Sequence, residues 1–171
     1  MIFMTEDTKM EVKLKEEVVE QYRRKVNADE YRQIREEYKI HSIAEDNRDI
    51  PGLMSTLTDD CEYILVQSGH TWKGKEGATR FYTELLTAFP DVDFQLQNIV
   101  IGPQGVFQEA VAIGTHKDVW LGFKPTGKKL TWRTLIFFPW DPEKKKFKGA
   151  PNSREGESER SIRTLRRNEA R

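Results

Sequence analysis

Glu109 stands in an alternating run, Phe107-Gln108-Glu109-Ala110-Val111-Ala112-Ile113-Gly114-Thr115-His116. Side chains of a strand alternate with period two, so Glu109 shares a face with Phe107, Val111 and Ile113. A carboxylate buried among apolar side chains has its pKa raised and can remove a proton near neutral pH. The competing reading is a strand Glu on a solvated face, since charged residues are seldom fully buried unless paired. His116 ends the same run, and an imidazole at a pocket wall exchanges protons at little cost near pH 7. The alternative for His116 is a strand-end residue hydrogen-bonded to a neighbouring turn. His70, in Ser68-Gly69-His70-Thr71, is the third candidate for proton transfer. His41 falls on the apolar side of a helical pattern, where a hydrogen-bonded structural role is the ordinary one. Tyr38, Tyr63, Trp72, Trp120 and Trp132 supply ring faces for a pocket and O–H or N–H donors for a carbonyl oxygen. With His41 they form the candidate substrate-binding set, and as core or interface aromatics each has an equally ordinary use.

Several chemistries are disfavoured. The three histidines lie on a helix, a turn and a strand end, which is not the spacing of a metal motif. There is no Ser-His-Asp ordering, no phosphate-cradling Gly-rich loop before a helix and no dinucleotide fingerprint. Hydrolases of those classes and nucleotide-dependent enzymes are therefore disfavoured.

These residues must be positioned by an α+β scaffold. Met10, Leu14, Val18, Val19 and Tyr22 recur at helical spacing in residues 5–26, which suggests an amphipathic helix or a lead-in. Asn27 followed by Glu30 makes a capping pattern for a second helix with Tyr31, Ile34, Tyr38 and His41 on one face. Asp49 with Ile50-Pro51-Gly52 opens a short third helix carrying Leu53, Met54 and Leu57, because Pro is tolerated in a first turn. A strand is expected over Cys61–Gln67 and a turn over Ser68–Thr71. Ala78, Phe81, Tyr82, Leu85, Leu86 and Phe89 then follow helical spacing until Pro90 stops them. A strand from Val92 to Ile101, a turn at Gly102-Pro103-Gln104-Gly105 and two long strands follow. These long strands, Phe107–His116 and Thr131–Phe138, are joined through Trp120 and Pro125-Thr126-Gly127-Lys128-Lys129, and Asp141 to Lys146 closes an exposed charged turn. Helices, strand, helix, then an antiparallel meander is the order of an α+β domain.

At 171 residues, with Lys plus Arg equal to Asp plus Glu at 28 each, the chain has one domain's length and no global charge to draw it to nucleic acid or an anionic membrane. The single cysteine, Cys61, excludes an internal disulfide and reads as a small core residue. The start lacks the pattern of a signal peptide and no apolar run nears the ~20 residues of a membrane helix, so a cytoplasmic protein is expected. After Gly149 the composition turns to Pro, Ser, Glu and Arg, too polar to offset its ordering entropy, and residues 150–171 read as a disordered tail. The expected division is 1–26, 27–149 and 150–171.

Gly74-Lys75-Glu76-Gly77 before an amphipathic helix, Phe89-Pro90-Asp91-Val92, Gly114-Thr115-His116, Gly122 and Pro125-Thr126-Gly127-Lys128 resemble the SnoaL-like polyketide (ester) cyclases of the nuclear transport factor 2-like superfamily. The resemblance spans roughly Tyr38 to Gly149. It implies a cone in which a curved antiparallel sheet wraps around N-terminal helices and encloses a pocket, with homodimers formed through the sheet. It also implies a metal-free and cofactor-free aldol ring closure of an apolar carbonyl compound, or an isomerase-like variant of it. A non-catalytic ligand-binding or dimerisation module is the alternative, since one fold hosts many activities. The family pattern carries an acidic acid/base on the strand after Pro-Thr-Gly, whereas Thr131-Trp132-Arg133-Thr134-Leu135-Ile136 has none. Either the role has moved, to Glu109, His116 or His70, or the reaction is not performed. The strand that completes the family's sheet should also run past Phe147, and a reading-frame change near Gly149 would explain the abrupt shift.

Overall fold

The computed structural model describes residues 16–25 and 27–150. Of the N-terminal helical pattern it contains α1 (Glu16–Arg23). The remainder of that pattern, and the expected tail beyond Ala150, lie outside the described residues.

Helix α2 (Ala28–Asp46) starts where Asn27 caps it, the Asn27 side chain accepting from the Asp29 N–H at 2.9 Å. Asp29 and Glu30 in the first turn suit the positive end of the helix dipole. Ile34, Tyr38, His41 and Ala44 form its buried stripe. The Asp49 side chain accepts from the Gly52 N–H at 3.0 Å and starts α3 (Ile50–Ser55), with Pro51 in the first turn where no donor is missed. Helix α4 (Gly74–Ala88) buries Ala78, Tyr82, Leu85 and Ala88 and stops before Pro90.

Six strands, β1 (Leu57–Leu65), β2 (His70–Lys73), β3 (Asp93–Gly102), β4 (Gly105–Thr115), β5 (Lys129–Asp141) and β6 (Lys146–Ala150), form one sheet in the order β2-β1-β6-β5-β4-β3. Three local differences from the expected elements have simple causes. Leu57 opens β1 instead of extending α3, because the helix has already ended at Ser55. His70 and Thr71 are strand residues paired with Leu65 and Ile64, so the turn is shorter than its polar composition suggests. Ala150 closes β6 and pairs with Tyr63 rather than beginning a tail.

The sheet is antiparallel except where β6 runs parallel to β1. Period-two patterning does not report strand direction, and the two strands meet only after the chain has passed through α4 and the β3–β5 meander. Gly149 makes this parallel contact possible. Its φ is +83° and a Cβ there would lie 2.2 Å from the Glu62 carbonyl oxygen, so no other residue allows the backbones so close.

Along β4, Val106, Gln108, Ala110, Ala112 and Gly114 are buried and face the helices. Phe107, Glu109, Val111 and Ile113 alternate with them and face the other way. Ladder partners in antiparallel strands share a face, which places Trp132, Thr134, Ile136 and Phe138 of β5 on the helix side. Strand β6 pairs with β5 only at Trp140 and Asp141. Among the described residues the rest of that β5 edge has no ladder partner. Cys61 is a fully buried free thiol in the core, as expected. Among the described residues no helix is long and apolar enough to cross a membrane.

Candidate functional site

A cavity of about 470 Å³ lies where β6 runs out, between the end of β1 and the unpaired edge of β5. Its walls are Tyr63 to Gln67 from β1 and the segment after it, Trp132 to Phe138 from β5, and Ala150 at the end of β6. Phe81, Tyr82 and Leu85 of α4, Glu45 of α2, Phe94 of β3 and Trp120 from the loop after β4 complete it, and at the open edge of β5 the outer-face residues Phe107, Arg133, Leu135 and Phe137 reach its rim. A volume in this range, lined mainly by aromatic and aliphatic groups with a few polar ones, is that of a small-molecule site.

Of the expected substrate-binding residues, the cavity brings together Tyr63, Trp120 and Trp132. Tyr38 sits behind the lining, its hydroxyl donating to the Gln108 Oε1 and its ring edge-on to Phe138 at 6.2 Å. Trp72 is buried against Phe81, 5.1 Å between ring centres, and is also not part of the wall. His41 lies one layer deeper, against the Tyr82 hydroxyl.

None of the three expected catalytic residues lines the cavity. Glu109 is on the far face of the sheet, where Oε1 is 2.7 Å from Arg133 Nη1 and Oε2 accepts from Asn98 Nδ2 at 2.7 Å. Arg133 lies diagonally opposite, since it pairs with Val111, and such diagonal partners are within reach of long side chains. The small residues of β4 face inward because the chain before β3 packs tightly there. A Cβ on Gly114 would stand 3.3 Å from Phe89 and Val92. His116 is buried, stacked on Phe89 at 5.1 Å, with Nδ1 3.4 Å from Thr126 Oγ1 and, among the described residues, no partner for Nε2. His70 is exposed, paired with Ser68 Oγ at 2.9 Å and stacked on Trp72.

Among the described residues Glu45 is the one carboxyl in the lining, and its side chain is half-buried. Burial and the neighbouring Asp46 charge push its carboxyl up from 4.5 to about 7, against a hydrogen bond with Tyr82 that pulls it down. Tyr82 also meets Tyr63 Oη and His41 Nε2, each at 3.1 Å. Burial raises both phenols above their ordinary pKa and lowers His41 from 6.5 to about 4. At pH 7 the Tyr hydroxyls are therefore neutral and His41 is an uncharged imidazole. Glu45 is legible in principle. It follows Tyr38 by seven residues and His41 by four, on the same helical stripe.

The two shifts have opposite signs for stability. The unfolded chain protonates His41 near 6.5 but the fold only near 4, so that contribution is complete above 6.5 and is lost as pH falls through 4. The fold keeps a proton on Glu45 up to about 7 that the unfolded chain gives up near 4.5. That contribution is complete below 4.5 and is lost as pH rises through 7. Where the two ranges overlap the slopes cancel. Urea midpoints from pH 4 to 8 should show a plateau with a decline on each side, and Glu45→Gln should remove the alkaline decline.

The family model for SnoaL-like polyketide cyclase matches residues 32–145. The chain belongs to this family. Solved structures share its fold at low identity. A candidate SnoaL-like polyketide cyclase from Jannaschia sp. CCS1 is 18% identical, with 74% of this chain and 88% of that one covered and a TM-score of 0.64. IdmH, a candidate polyketide cyclase from Streptomyces antibioticus, is 20% identical over 68% and 88%, with a TM-score of 0.55. A nuclear transport factor 2-like protein of unknown function from Burkholderia pseudomallei K96243 is 12% identical over 77% and 95%, with a TM-score of 0.57. No curated protein matches the sequence. As a SnoaL-like chain it has the α+β architecture expected of the superfamily, a curved sheet packed against helices. The Trp132–Phe138 segment carries Arg133 and no carboxylate.

Proposed function

We propose that this protein performs cofactor-independent acid/base catalysis on an apolar carbonyl compound held in the cavity, an aldol cyclisation or an isomerisation. The observation that carries the reading is Glu45, a carboxyl with a pKa near neutrality in an aromatic enclosure. A base is most effective when its pKa is close to the working pH. The Glu45 carboxylate takes a proton from the carbon next to a carbonyl, and Tyr63 O–H donates to the enolate oxygen. In a cyclisation the enolate carbon attacks a second carbonyl of the same molecule, forming a C–C bond, and the proton on Glu45 passes to the new alkoxide. In an isomerisation it returns to a different carbon. The role that family members place on the strand after Pro-Thr-Gly is taken here from α2.

The test works with an unidentified substrate. A panel of apolar ketones is screened for quenching of Trp120 and Trp132 fluorescence, and ligands that bind are incubated with the protein in D₂O. Deuterium entering the α-carbon faster with protein than without supports the catalytic reading. Tight binding with no exchange supports a ligand-binding module.

The partner is a second copy of the chain. Val100, Phe107 and Phe137 form one cross-strand row on the outer face of the sheet, with Leu135 beside it, exposed at 64, 42, 38 and 65%. Large apolar groups arranged together on a surface mark an interaction site. Sedimentation at micromolar concentration should show a dimer, and Val100→Glu, which does not touch the cavity, should shift it to monomer. A wild-type monomer would contradict the proposal.

A further inference from the structure

We infer that Leu121 is a positioning residue that holds the Trp120 ring in the cavity wall from a strained two-residue turn, and that Trp120 so held sets the size of ligand the cavity accepts. The inference rests on the cavity as the ligand site of the proposed reaction, and neither on Glu45 nor on turnover.

The chain between β4 and β5 leaves the sheet and returns to the same place. At its base His116 N–H donates to the Lys128 carbonyl oxygen at 3.0 Å and Gly127 N–H to that of His116 at 2.9 Å. Lys117 N–H donates to the Ala88 carbonyl oxygen at 2.8 Å and ties the base to the end of α4. At the tip Trp120 N–H donates to the Phe123 carbonyl oxygen at 3.1 Å, and Phe123 N–H to that of Trp120 at 2.9 Å. Compact loops with their ends tied together are frequently functional. From Lys117 to Thr131 every residue is exposed except Trp120 and Leu121, and Trp120 is the residue through which this loop reaches the cavity.

Neighbouring side chains of an extended strand point to opposite sides. Trp120 and Leu121 both turn inward because Leu121 has a φ of +51° and Gly122 a φ of +85°. Two positive values are what this tight hairpin turn requires, and Asn-Gly or Gly-Gly is its usual sequence. Gly122 adopts its value freely. Leu121 does not, since its Cβ crowds the following carbonyl oxygen. Backbone strain of this kind persists only where the surroundings hold it, and it collects at ligand sites. What holds Leu121 is packing against the core cluster that includes Tyr63, Trp72 and Tyr82. Trp120 rests on the neighbouring cluster of Leu85, Ala88 and Phe89, its ring centre 6.1 Å from Phe81 and 6.3 Å from Phe89. Val119 and Phe123 of the same tip are 53 and 71% exposed and add little to its fastening.

Glycine at position 121 therefore has opposite effects on the turn and on the wall. It relaxes the backbone, so a residue that served the hairpin alone would be replaced without loss. It also removes the anchor, and Trp120 is then fastened by its own ring only.

The full-length protein is labelled with 5-fluorotryptophan, and among its four tryptophans the Trp120 ¹⁹F resonance is the one lost in Trp120→Phe. In the wild type that resonance should show only part of the H₂O/D₂O shift of a free indole. A full shift there would overturn the inference whatever the variants do. In Leu121→Gly the shift should become nearly full. Affinity for ketones that quench the wild-type fluorescence should fall about tenfold, as on losing an aromatic anchor, while ketones too large for the wild-type cavity should gain. Leu121→Met keeps an apolar anchor of similar size and should restore both. An unmoved resonance in a folded Leu121→Gly protein would overturn the inference, and so would a moved resonance with an unchanged ranking of ketones by size. Failure of every ketone to bind, beside a moved resonance, would remove the proposed reaction and leave Leu121 as the anchor of Trp120.

Discussion

Glu45→Gln should abolish α-proton exchange on any bound ketone, by about 10²–10⁴-fold, the usual contribution of a positioned acid or base. The replacement keeps the size of the side chain, so the cavity and its affinity for an apolar ligand should remain within about threefold of the wild type. Glu109→Gln is the informative contrast. That residue is ion-paired to Arg133 on the opposite face of the sheet, and its loss should leave exchange unchanged. If Glu109→Gln stops exchange and Glu45→Gln does not, the site lies on the other side of the sheet.

Phe138→Ala should cost about 3–5 kcal/mol of stability, the range for truncating a buried aromatic. Phe138 is 2% exposed, lies 5.0 Å from the His41 ring and 5.9 Å from Phe147, and its edge meets Tyr38. It also lines the cavity, so removing it joins new empty volume to the site and frees the ring that steadies His41. The denaturation midpoint should drop with an unchanged denaturant dependence, and the Glu45 titration should broaden or shift. A loss below about 1 kcal/mol would mean that the core collapses around the gap and that His41 does not depend on this contact.

The elements carrying strong local signals are legible in the sequence. Asn27 capping α2, Pro90 ending α4 and the alternation through β4 and β5 all rest on interactions within a few residues. The short strand β2 is not legible, because its polar His70-Thr71 start has turn composition and its pairing with Leu65 and Ile64 is supplied by tertiary structure. The parallel contact of β1 with β6 is hidden for the same reason, although Gly149 is a trace of it. Alternation correctly separates Glu109, Phe107, Val111 and Ile113 from their neighbours but does not say which set faces inward. Size misleads there, since the large residues are outside and the small ones inside, where α4 and the cavity need the room. Of the candidate site, Tyr63, Trp120 and Trp132 do share the cavity. Glu45 is easily missed because it reads as one more charge at the end of a charged helix, yet its spacing from Tyr38 and His41 sets it on their face.

The most direct measurement is the ¹³C titration of the Glu45 carboxyl, assigned by comparison with Glu45→Gln. A midpoint near 7, shared by no other glutamate on that helix, is the result expected of a desolvated carboxyl beside the Asp46 charge. A midpoint near 4.5 would show Glu45 to be a solvated residue, and the acid/base reading of this cavity would fall with it.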